Sequence, residues 1–164
     1  IIYRVVGDGT ERLSYMKVGD KIDSLGPLGT SFSVNATHIV GVGGGVGIAP
    51  ILFLARNALP GHMTVVIGGR NKAEVFWKDF FPKNMRKLIV TTDDGSCGIK
   101  GFSVSVLPDI FEKENVNQVC VCGPAIMMRT TAEMRENSAY TVRYLWKDGW
   151  DAEPGLVLLV YAIK

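Results

Sequence analysis

The chain has 164 residues, of which 47% are hydrophobic and 21% charged, and its formal net charge is +2. This length accommodates one domain and part of a second, and the composition is that of an ordinary globular protein. The charge does not indicate a nucleic-acid partner, and no apolar run is long enough to cross a membrane. No signal peptide is recognisable, and the first residue is not methionine, so we expect a fragment or a processed product.

The first 35 residues have the pattern of an all-β segment. The stretch IIYRVV (1–6) predicts a strand and GDGT (7–10) predicts a turn. Residues 13–34 alternate short apolar stretches with Gly, Asp and Pro turns, which is typical of short strands. We expect this segment to be the last part of a β domain.

From about residue 37, predicted strands alternate with predicted helices. The strands are 38–43, 63–69, 87–93 and 117–123, and the helices are 49–58, 72–81, 101–114 and 124–136. This order predicts an α/β domain, a doubly wound parallel sheet with helices on both faces. The domain boundary is expected near residue 36.

The stretch GVGGGVGIAP (41–50) contains five glycines and a proline. It follows a β-branched run and precedes an apolar helical pattern, so it predicts a strand-to-helix turn whose free N–H groups face a phosphate. It is not the standard dinucleotide fingerprint, because G-x-G-x-x-G is not clean and no acidic residue ends the second strand, which ends in Gly69-Arg70. A tight turn without a ligand is the alternative.

Three more strand ends fall at the same predicted edge, because the carboxyl ends of parallel strands lie together. They are Gly69-Arg70, residues 93–98 and residues 122–125. The period of two places Cys120 and Cys122 on one face of the fourth strand, with Cys120 in the core. Met127 and Met128 are expected in a helix core. His38 and His62 lie near strand starts at the opposite edge and are assigned no role.

The three cysteines form no Cys-x-x-Cys pair. Neither a zinc site nor a disulfide framework is expected, and a reducing cytoplasm is the predicted location. No catalytic side chain and no metal ligand are predicted.

In their order and separation, GGGVGIAP, DDGSCGIKG and CGPAIMM resemble the nicotinamide-binding domain of the ferredoxin–NADP reductase superfamily. Upstream, IIYRVVGDGT and LGPLGTSF resemble the closing strands of the FAD-binding β-barrel of that superfamily. Within it, the chain resembles the electron-transfer subunits of dihydroorotate dehydrogenase B. The resemblance covers residues 1–143 and implies three parts: 1–35 from the FAD-binding barrel, 36–143 as the NAD(P)-binding domain, and 144–164 as an atypical tail.

The resemblance also implies roles for individual residues. For FAD, Ile2, Tyr3 and Arg4 would contact the flavin and its phosphates, and Gly9 and Thr10 would hold the pyrophosphate. For the nicotinamide nucleotide, the implied residues are Gly44, Gly45 and Gly47 at the phosphates, Asp94 and Gly95 in the nucleotide-side loop, and Cys122, Gly123 and Pro124 beside the nicotinamide. The flavin motif R-P-x-S of the family would lie before Ile1.

In the family, a catalytic dihydroorotate dehydrogenase subunit is the partner, and electrons pass through a 2Fe-2S cluster and FAD to NAD. Two alternatives stay open. One is the small subunit of an NADH-dependent ferredoxin–NADP reductase or sulfide dehydrogenase, and the other is a non-catalytic nucleotide-binding remnant. NAD is favoured over NADP by the resemblance alone, since Arg70 could serve a 2′-phosphate.

The tail, residues 144–164, departs from the family, which continues there with the cysteine ligands of the 2Fe-2S cluster. This tail contains no cysteine. The tail's possible codons can be read displaced by one base, so that the third base of each codon joins the first two bases of the next. In that frame Trp146-Lys147 can encode only Glu, and Trp150-Asp151 can encode only Gly. The displaced frame permits S-L-E-R-R-M-G-C-G-A-G-x-C-x-x-C-x-C, which has the cluster spacing. Loss of one base after the Arg143 codon is therefore one hypothesis, an ordinary strand is the other, and the nucleotide sequence distinguishes them.

Overall fold

The structure is a computed structural model, and it describes residues 3, 5–24, 32, 36–134 and 141–144. These residues divide into two compact units. The first contains residues 3 and 5–24, and the second contains the described residues from Phe32 to Tyr144. Each unit is described by itself below.

The first unit contains a helix that the sequence pattern did not predict. The helix α1, Asp8–Ser14, begins inside the stretch read as a turn. Thr10 explains this start, because its Oγ1 accepts from the N–H groups of Val6 (2.9 Å) and Gly7 (3.2 Å). The hydroxyl also donates to the Gly7 carbonyl, and the side chain is buried. GDGT is therefore a capped first turn of a helix.

Among residues 3 and 5–24, no strand is present, so the strands predicted for 1–6 and for the start of 13–34 are wrong over those residues. A strand requires a neighbouring strand to which its backbone is hydrogen-bonded. The backbone groups of α1 are instead hydrogen-bonded within the helix, so they are not available for such pairing. Residues 25–31 and 33–35 lie outside the described residues. The assignment of 1–35 to a flavin barrel stays a prediction.

The second unit is built on a parallel sheet of six strands, and this confirms the α/β doubly wound class. The strands stand in the order β4-β3-β2-β1-β5-β6. Their bounds are β1 Ile39–Gly44, β2 Met63–Gly69, β3 Lys87–Thr92, β4 Ile99–Lys100, β5 Gln118–Cys122 and β6 Thr141–Tyr144. Four strands match the prediction closely, and β4 and β6 are additional.

Helical segments connect these strands. The α-helices are α2 Ile48–Asn57, α3 Leu107–Lys113 and α4 Ala125–Glu133. Short 3₁₀ segments occupy Gly45–Gly47, Lys72–Phe80 and Ser103–Val106. The predicted helix 72–81 is thus a 3₁₀ segment, and the predicted helix 101–114 is divided between a 3₁₀ turn and α3. No helix in the described part of the chain has the length and apolarity needed to span a membrane.

Two apolar cores lie on opposite faces of the sheet. One contains Ile48, Ile51 and Leu52 of α2 together with Val75 and Trp77 of the segment 72–80. The other contains Leu107 and Ile110 of α3 together with Met127 and Met128 of α4. Since β1, β2 and β5 are covered on both faces, their side chains are apolar in almost every position.

The alternation along β5 confirms the predicted facing of its cysteines. Cys120 and Cys122 pack toward the α2 core, whereas Val119 and Val121 pack toward the α3 and α4 core. Cys120 is fully buried, as expected for a small core residue.

A buried polar cluster closes the amino-terminal edge of the sheet, opposite the strand ends that carry the glycines. The Nε2 atom of His38 lies 2.9 Å from Glu114 Oε2 and 3.2 Å from Thr64 Oγ1. Thr64 donates to Glu114 Oε2 at 3.0 Å. The His38 carbonyl accepts from Asn117 and Gln118, so this histidine ties the α3–β5 connection to the start of β1.

We expect His38 to be neutral at pH 7. Burial and the nearby Arg86 guanidinium lower its pKa below the ordinary value of 6.5, against the opposing effect of Glu114. Because the folded pKa is depressed, the contribution of His38 to stability is complete above about pH 6.5 and falls as the pH decreases below it. An NMR titration of the two histidines, assigned with His62→Asn, measures this pKa, and a His38 pKa above the ordinary value would contradict the expectation.

Candidate functional site

The site lies where the direction of chain progression across the sheet reverses. From β1 the chain proceeds to β2 on one side, whereas β5 pairs with β1 on the other side. In open parallel sheets a ligand crevice forms at such a point, outside the carboxyl ends of the strands. The turn Gly45–Gly47 follows β1 here, and Gly123-Pro124 follows β5.

Close packing of the two loops accounts for three of the glycines. A Cβ on Gly47 would lie 2.3 Å from the Cys122 carbonyl oxygen, and one on Gly44 would lie 2.9 Å from Met127 Sδ. A Cβ on Gly123 would lie 2.5 Å from Met127 Cε and 3.1 Å from the backbone of Gly44. Gly47 and Gly123 thus let the backbones of the β1 and β5 loops approach closely, and Gly44 leaves room for the Met127 side chain of α4.

Gly45 is different. Its φ is +57°, which favours glycine, and a Cβ there would have no heavy atom within 4 Å. Gly45 is therefore the loop glycine that faces open space. Gly45 begins the 3₁₀ turn Gly45–Gly47, which leads directly into α2, and Gly44 at the N-cap of that turn offers no side chain to its first N–H groups. A bare helix N-terminus beside an open glycine has the chemistry of a phosphate site.

Cys122 and Pro124 lie on the β5 side of the reversal point, facing the turn that follows β1. Cys122 ends β5 and is half-buried, and Pro124 precedes the first residue of α4. Burial raises the pKa of the Cys122 thiol to about 11, so the thiol is protonated at neutral pH. It is a small neutral wall of the crevice and a poor nucleophile.

The end of β2 contributes a charged pair. Arg70 donates from Nε to Glu74 Oε1 at 2.7 Å and from its backbone N–H to Glu74 Oε2 at 3.0 Å, and its Nη2 also contacts Oε1. The Arg70 side chain is 71% exposed and that of Glu74 is 25% exposed. The Arg70 guanidinium, which could have served a 2′-phosphate, is thus held by a carboxylate.

The loop after β3 is shaped by its own side chains. Asp94 Oδ1 accepts from the N–H of Ser96 at 2.9 Å and from its hydroxyl at 2.6 Å. These hydrogen bonds lower the pKa of Asp94. Gly95 and Gly98 have φ of +78° and +71°, and a Cβ on Gly98 would lie 2.1 Å from the Val90 carbonyl oxygen. Asp94 and Gly95 thus give the loop its shape.

Exposed apolar side chains line this edge. Ile99 lies in β4, Phe102 lies two residues after the end of β4, and Ile126 lies in the first turn of α4. In the part of the chain that the structure describes, no group of three His, Cys, Asp or Glu side chains could hold a metal ion.

The structure thus brings together the implied nucleotide residues Gly44, Gly45, Gly47, Cys122, Gly123 and Pro124, with Asp94 and Gly95 on the same edge. Of the implied flavin residues, Tyr3, Gly9 and Thr10 belong to the first unit, and Ile2 and Arg4 lie outside the described residues. Sequence reasoning did not identify Glu74, Ser96 or Phe102. The position of Glu74, four residues after Arg70 at the start of a helical pattern, was the available signal for the ion pair.

Fold and site together define a nicotinamide-nucleotide-binding α/β domain of a redox protein. Residues 42–133 match the family described as Oxidoreductase NAD-binding domain, and the chain belongs to this family.

Curated relatives are similar over most of the chain. An electron transfer subunit of dihydroorotate dehydrogenase B (NAD(+)) from Desulforamulus reducens is 33% identical over 138 residues, which is 82% of this chain and 53% of the relative. A probable subunit of the same name from Methanopyrus kandleri is 39% identical over 132 residues, 79% of this chain and 50% of the relative. The chain thus spans about half the length of the curated relatives it matches.

Solved structures show the same fold. An NADH-dependent reduced ferredoxin–NADP oxidoreductase, studied for flavin-based electron bifurcation, superposes with a TM-score of 0.74 at 31% identity. The match covers 88% of this chain and 54% of that chain. The C-terminal domain of a Pyrococcus furiosus hydrogenase, at 16% identity and a TM-score of 0.55, shares the fold.

Proposed function

We propose that the chain is the nucleotide-binding part of an electron-transfer subunit that exchanges electrons between FAD and NAD in dihydroorotate oxidation. The observation that carries the proposal is the open Gly45 at the uncapped start of the 3₁₀ turn that leads into α2, at the reversal point between β1 and β5. The names of the curated relatives support the dihydroorotate assignment. A catalytic dihydroorotate dehydrogenase subunit and a cytoplasmic location are parts of the same proposal.

The nicotinamide nucleotide supplies the hydride chemistry, and the protein supplies position. The first N–H groups of the turn Gly45–Gly47, which leads into α2, would bind the phosphates. The backbone turn at Gly123-Pro124 and the neutral Cys122 thiol would border the nicotinamide, and the thiol would add no charge beside a ring whose own charge changes. No side chain here needs to act as a general acid or base.

The Arg70–Glu74 pair favours NAD over NADP. The ribose of a nucleotide in such a crevice lies near the end of the second strand, where a carboxylate accepts a hydrogen bond from the 2′-hydroxyl. Glu74 provides that carboxylate and also holds the Arg70 fork. A 2′-phosphate would meet a guanidinium already paired with a carboxylate, in place of a free guanidinium, and would lie close to the negative charge of Glu74.

Titration of the chain with NADH and NADPH, followed by calorimetry, tests both the site and the preference. We expect NADH to bind more tightly, and Glu74→Gln to reduce the preference by about tenfold, because hydrogen bonds to charged groups contribute about 1.5–3 kcal/mol. Asp109→Asn is the control, since it removes another i,i+4 ion pair, with Lys113 on α3. Failure of both nucleotides to bind would contradict the proposed function, and an unchanged preference in Glu74→Gln would contradict the role of Glu74.

Reconstitution with FAD and an absorbance scan test the flavin part, since the family residues Tyr3, Gly9 and Thr10 are present. Copurification with a dihydroorotate dehydrogenase subunit, and not with a ferredoxin–NADP reductase large subunit, would distinguish the proposal from its alternative. Residues 145–164 lie outside the described residues, so the hypothesis of a displaced reading frame stays a prediction. Under that hypothesis this chain carries no cluster ligands and is inactive by itself.

A further inference from the structure

Ser96 connects two loops at the carboxyl edge of the sheet. Its Oγ accepts the backbone N–H of Lys72 at 2.8 Å and donates to Asp94 Oδ1 at 2.6 Å. Lys72 follows β2, whereas Asp94 and Ser96 follow β3. The Ser96 hydroxyl therefore connects the β2 loop to the β3 loop, and the ionised Asp94 fixes the orientation of that hydroxyl.

The contact is made at the first residue of the 3₁₀ segment Lys72–Phe80. The first N–H groups of a helical segment have no partner inside it. Asn71 accepts from the N–H of Ala73, and Ser96 accepts from the N–H of Lys72. Both free groups are thereby satisfied, one from within the loop and one from the neighbouring loop.

Glu74 follows two residues later and reaches back to Arg70. The backbone reinforces this arrangement, since the N–H groups of Asp93 and Asp94 donate to the carbonyls of Gly69 and Arg70 at 3.1 and 3.2 Å. The end of β2 is thus fixed from two directions. The Ser96 hydroxyl links the β3 loop to the start of the segment that carries Glu74, and the contact of Lys78 Nζ with Cys97 Sγ at 3.8 Å links the loop to the end of that segment.

The Ser96 contacts are solvent-exposed, and Ser96 contributes no apolar packing. The Lys72–Ser96 hydrogen bond is neutral and exposed, so it contributes little to the free energy of unfolding, because water replaces either partner. The observable consequence of the contact is therefore local order at residues 72–74.

We propose that Ser96 is a positioning residue for nucleotide discrimination: through the Lys72 N–H it places the Glu74 carboxylate where the 2′ position of a bound nucleotide lies. This inference rests on the proposed function, because it requires a nicotinamide nucleotide in the crevice. Asp94 acts one step further back, by orienting the Ser96 hydroxyl.

The test compares Ser96→Ala, Ser96→Thr and Ser14→Ala in the full 164-residue chain. Ser14 is the matched control, since its exposed hydroxyl donates to the Glu11 carbonyl in the other unit. We expect Ser96→Ala to weaken NADH binding about three- to tenfold, the loss of one hydrogen bond, and to weaken NADPH binding less. Ser96→Thr should keep the preference for NADH over NADPH, because it keeps the hydroxyl. The thermal midpoint of unfolding of Ser96→Ala should match that of Ser14→Ala.

A double-mutant cycle with Glu74→Gln shows whether Ser96 acts through Glu74. In the Glu74→Gln background, Ser96→Ala should leave the ratio of the two dissociation constants unchanged. If Ser96→Ala weakens both nucleotides equally, or behaves like Ser14→Ala, the inference is overturned while the proposed function stands. If the unmodified chain binds neither nucleotide, the proposed function fails, and this inference fails with it.

Discussion

Replacing Gly47 with alanine is expected to destabilise the second unit by about 3 kcal/mol, the upper part of the usual range for overpacking. The new Cβ would lie 2.3 Å from the Cys122 carbonyl oxygen, 2.5 Å from its carbon and 2.7 Å from Gly123 Cα. All three neighbours are backbone atoms. No side-chain rotation relieves the overlap, so β1 and β5 must separate at the point where they are paired.

Urea unfolding followed by circular dichroism measures the change. Gly9→Ala is a suitable control, because a Cβ there has no heavy atom within 4 Å and Gly9 lies in the helix α1 of the other unit. Alanine has the higher helix propensity, so the control should not lose stability. A Gly47→Ala protein as stable as the original would show that the two loops do not touch in solution.

This packing changes the interpretation of the glycine run 41–47. From the sequence, all of Gly44, Gly45 and Gly47 were expected to make room for phosphates. In the structure, Gly44 and Gly47 make room for the β5 loop, and Gly45 faces open space. A glycine-rich turn reports a close approach to the backbone, but the sequence does not say whether the approaching group is a ligand or another loop. Only the register of β1 beside β5 answers that.

The strands that are buried on both faces were predictable because their side chains carry a strong signal. The β-branched runs around Val40, Val66 and Val119 define β1, β2 and β5 to within about two residues. The strand β4 has two residues and exists through its pairing with Thr91 and Thr92. Such a strand has no periodicity to detect. The helix α1 was missed for a similar reason, since the Thr10 cap resembles a turn in sequence.

The location of the candidate site could be predicted from the sequence, whereas the side-chain contacts within it could not. The four strand ends follow from topology alone, whereas the contacts of Glu74 with Arg70 and of Ser96 with Lys72 depend on loop conformation. Lys72 and Ser96 are 24 residues apart in the chain. No local pattern links them, and the hydrogen bond appears only once β2 and β3 are paired.

Gly45→Val is expected to abolish measurable binding of nicotinamide nucleotides, with a loss of at least about tenfold in affinity. Charge-assisted hydrogen bonds from backbone N–H groups to phosphate contribute about 1.5–3 kcal/mol each, and a side chain in the open space beside them would exclude the phosphate. Valine also disfavours the φ of +57° found at Gly45, which distorts the turn itself. Calorimetric titration with NADH measures the loss.

Gly61→Val separates the loss of binding from the backbone strain. Gly61 has a φ of +75°, and a Cβ there also meets no heavy atom within 4 Å, but it precedes β2 at the opposite edge of the sheet. Both variants pay the same conformational penalty, of the order of 1–2 kcal/mol for a side chain in the left-handed region. If both variants lose the same stability and only Gly45→Val loses NADH binding, the open space at Gly45 is where the ligand binds. Equal loss of binding in both variants would mean that strain, transmitted through the sheet, accounts for the effect.

The milder pair Gly45→Ala and Gly61→Ala makes the same comparison if the valine variants do not fold. Alanine keeps the backbone strain at both positions, and at Gly45 it adds a single methyl group beside the phosphates.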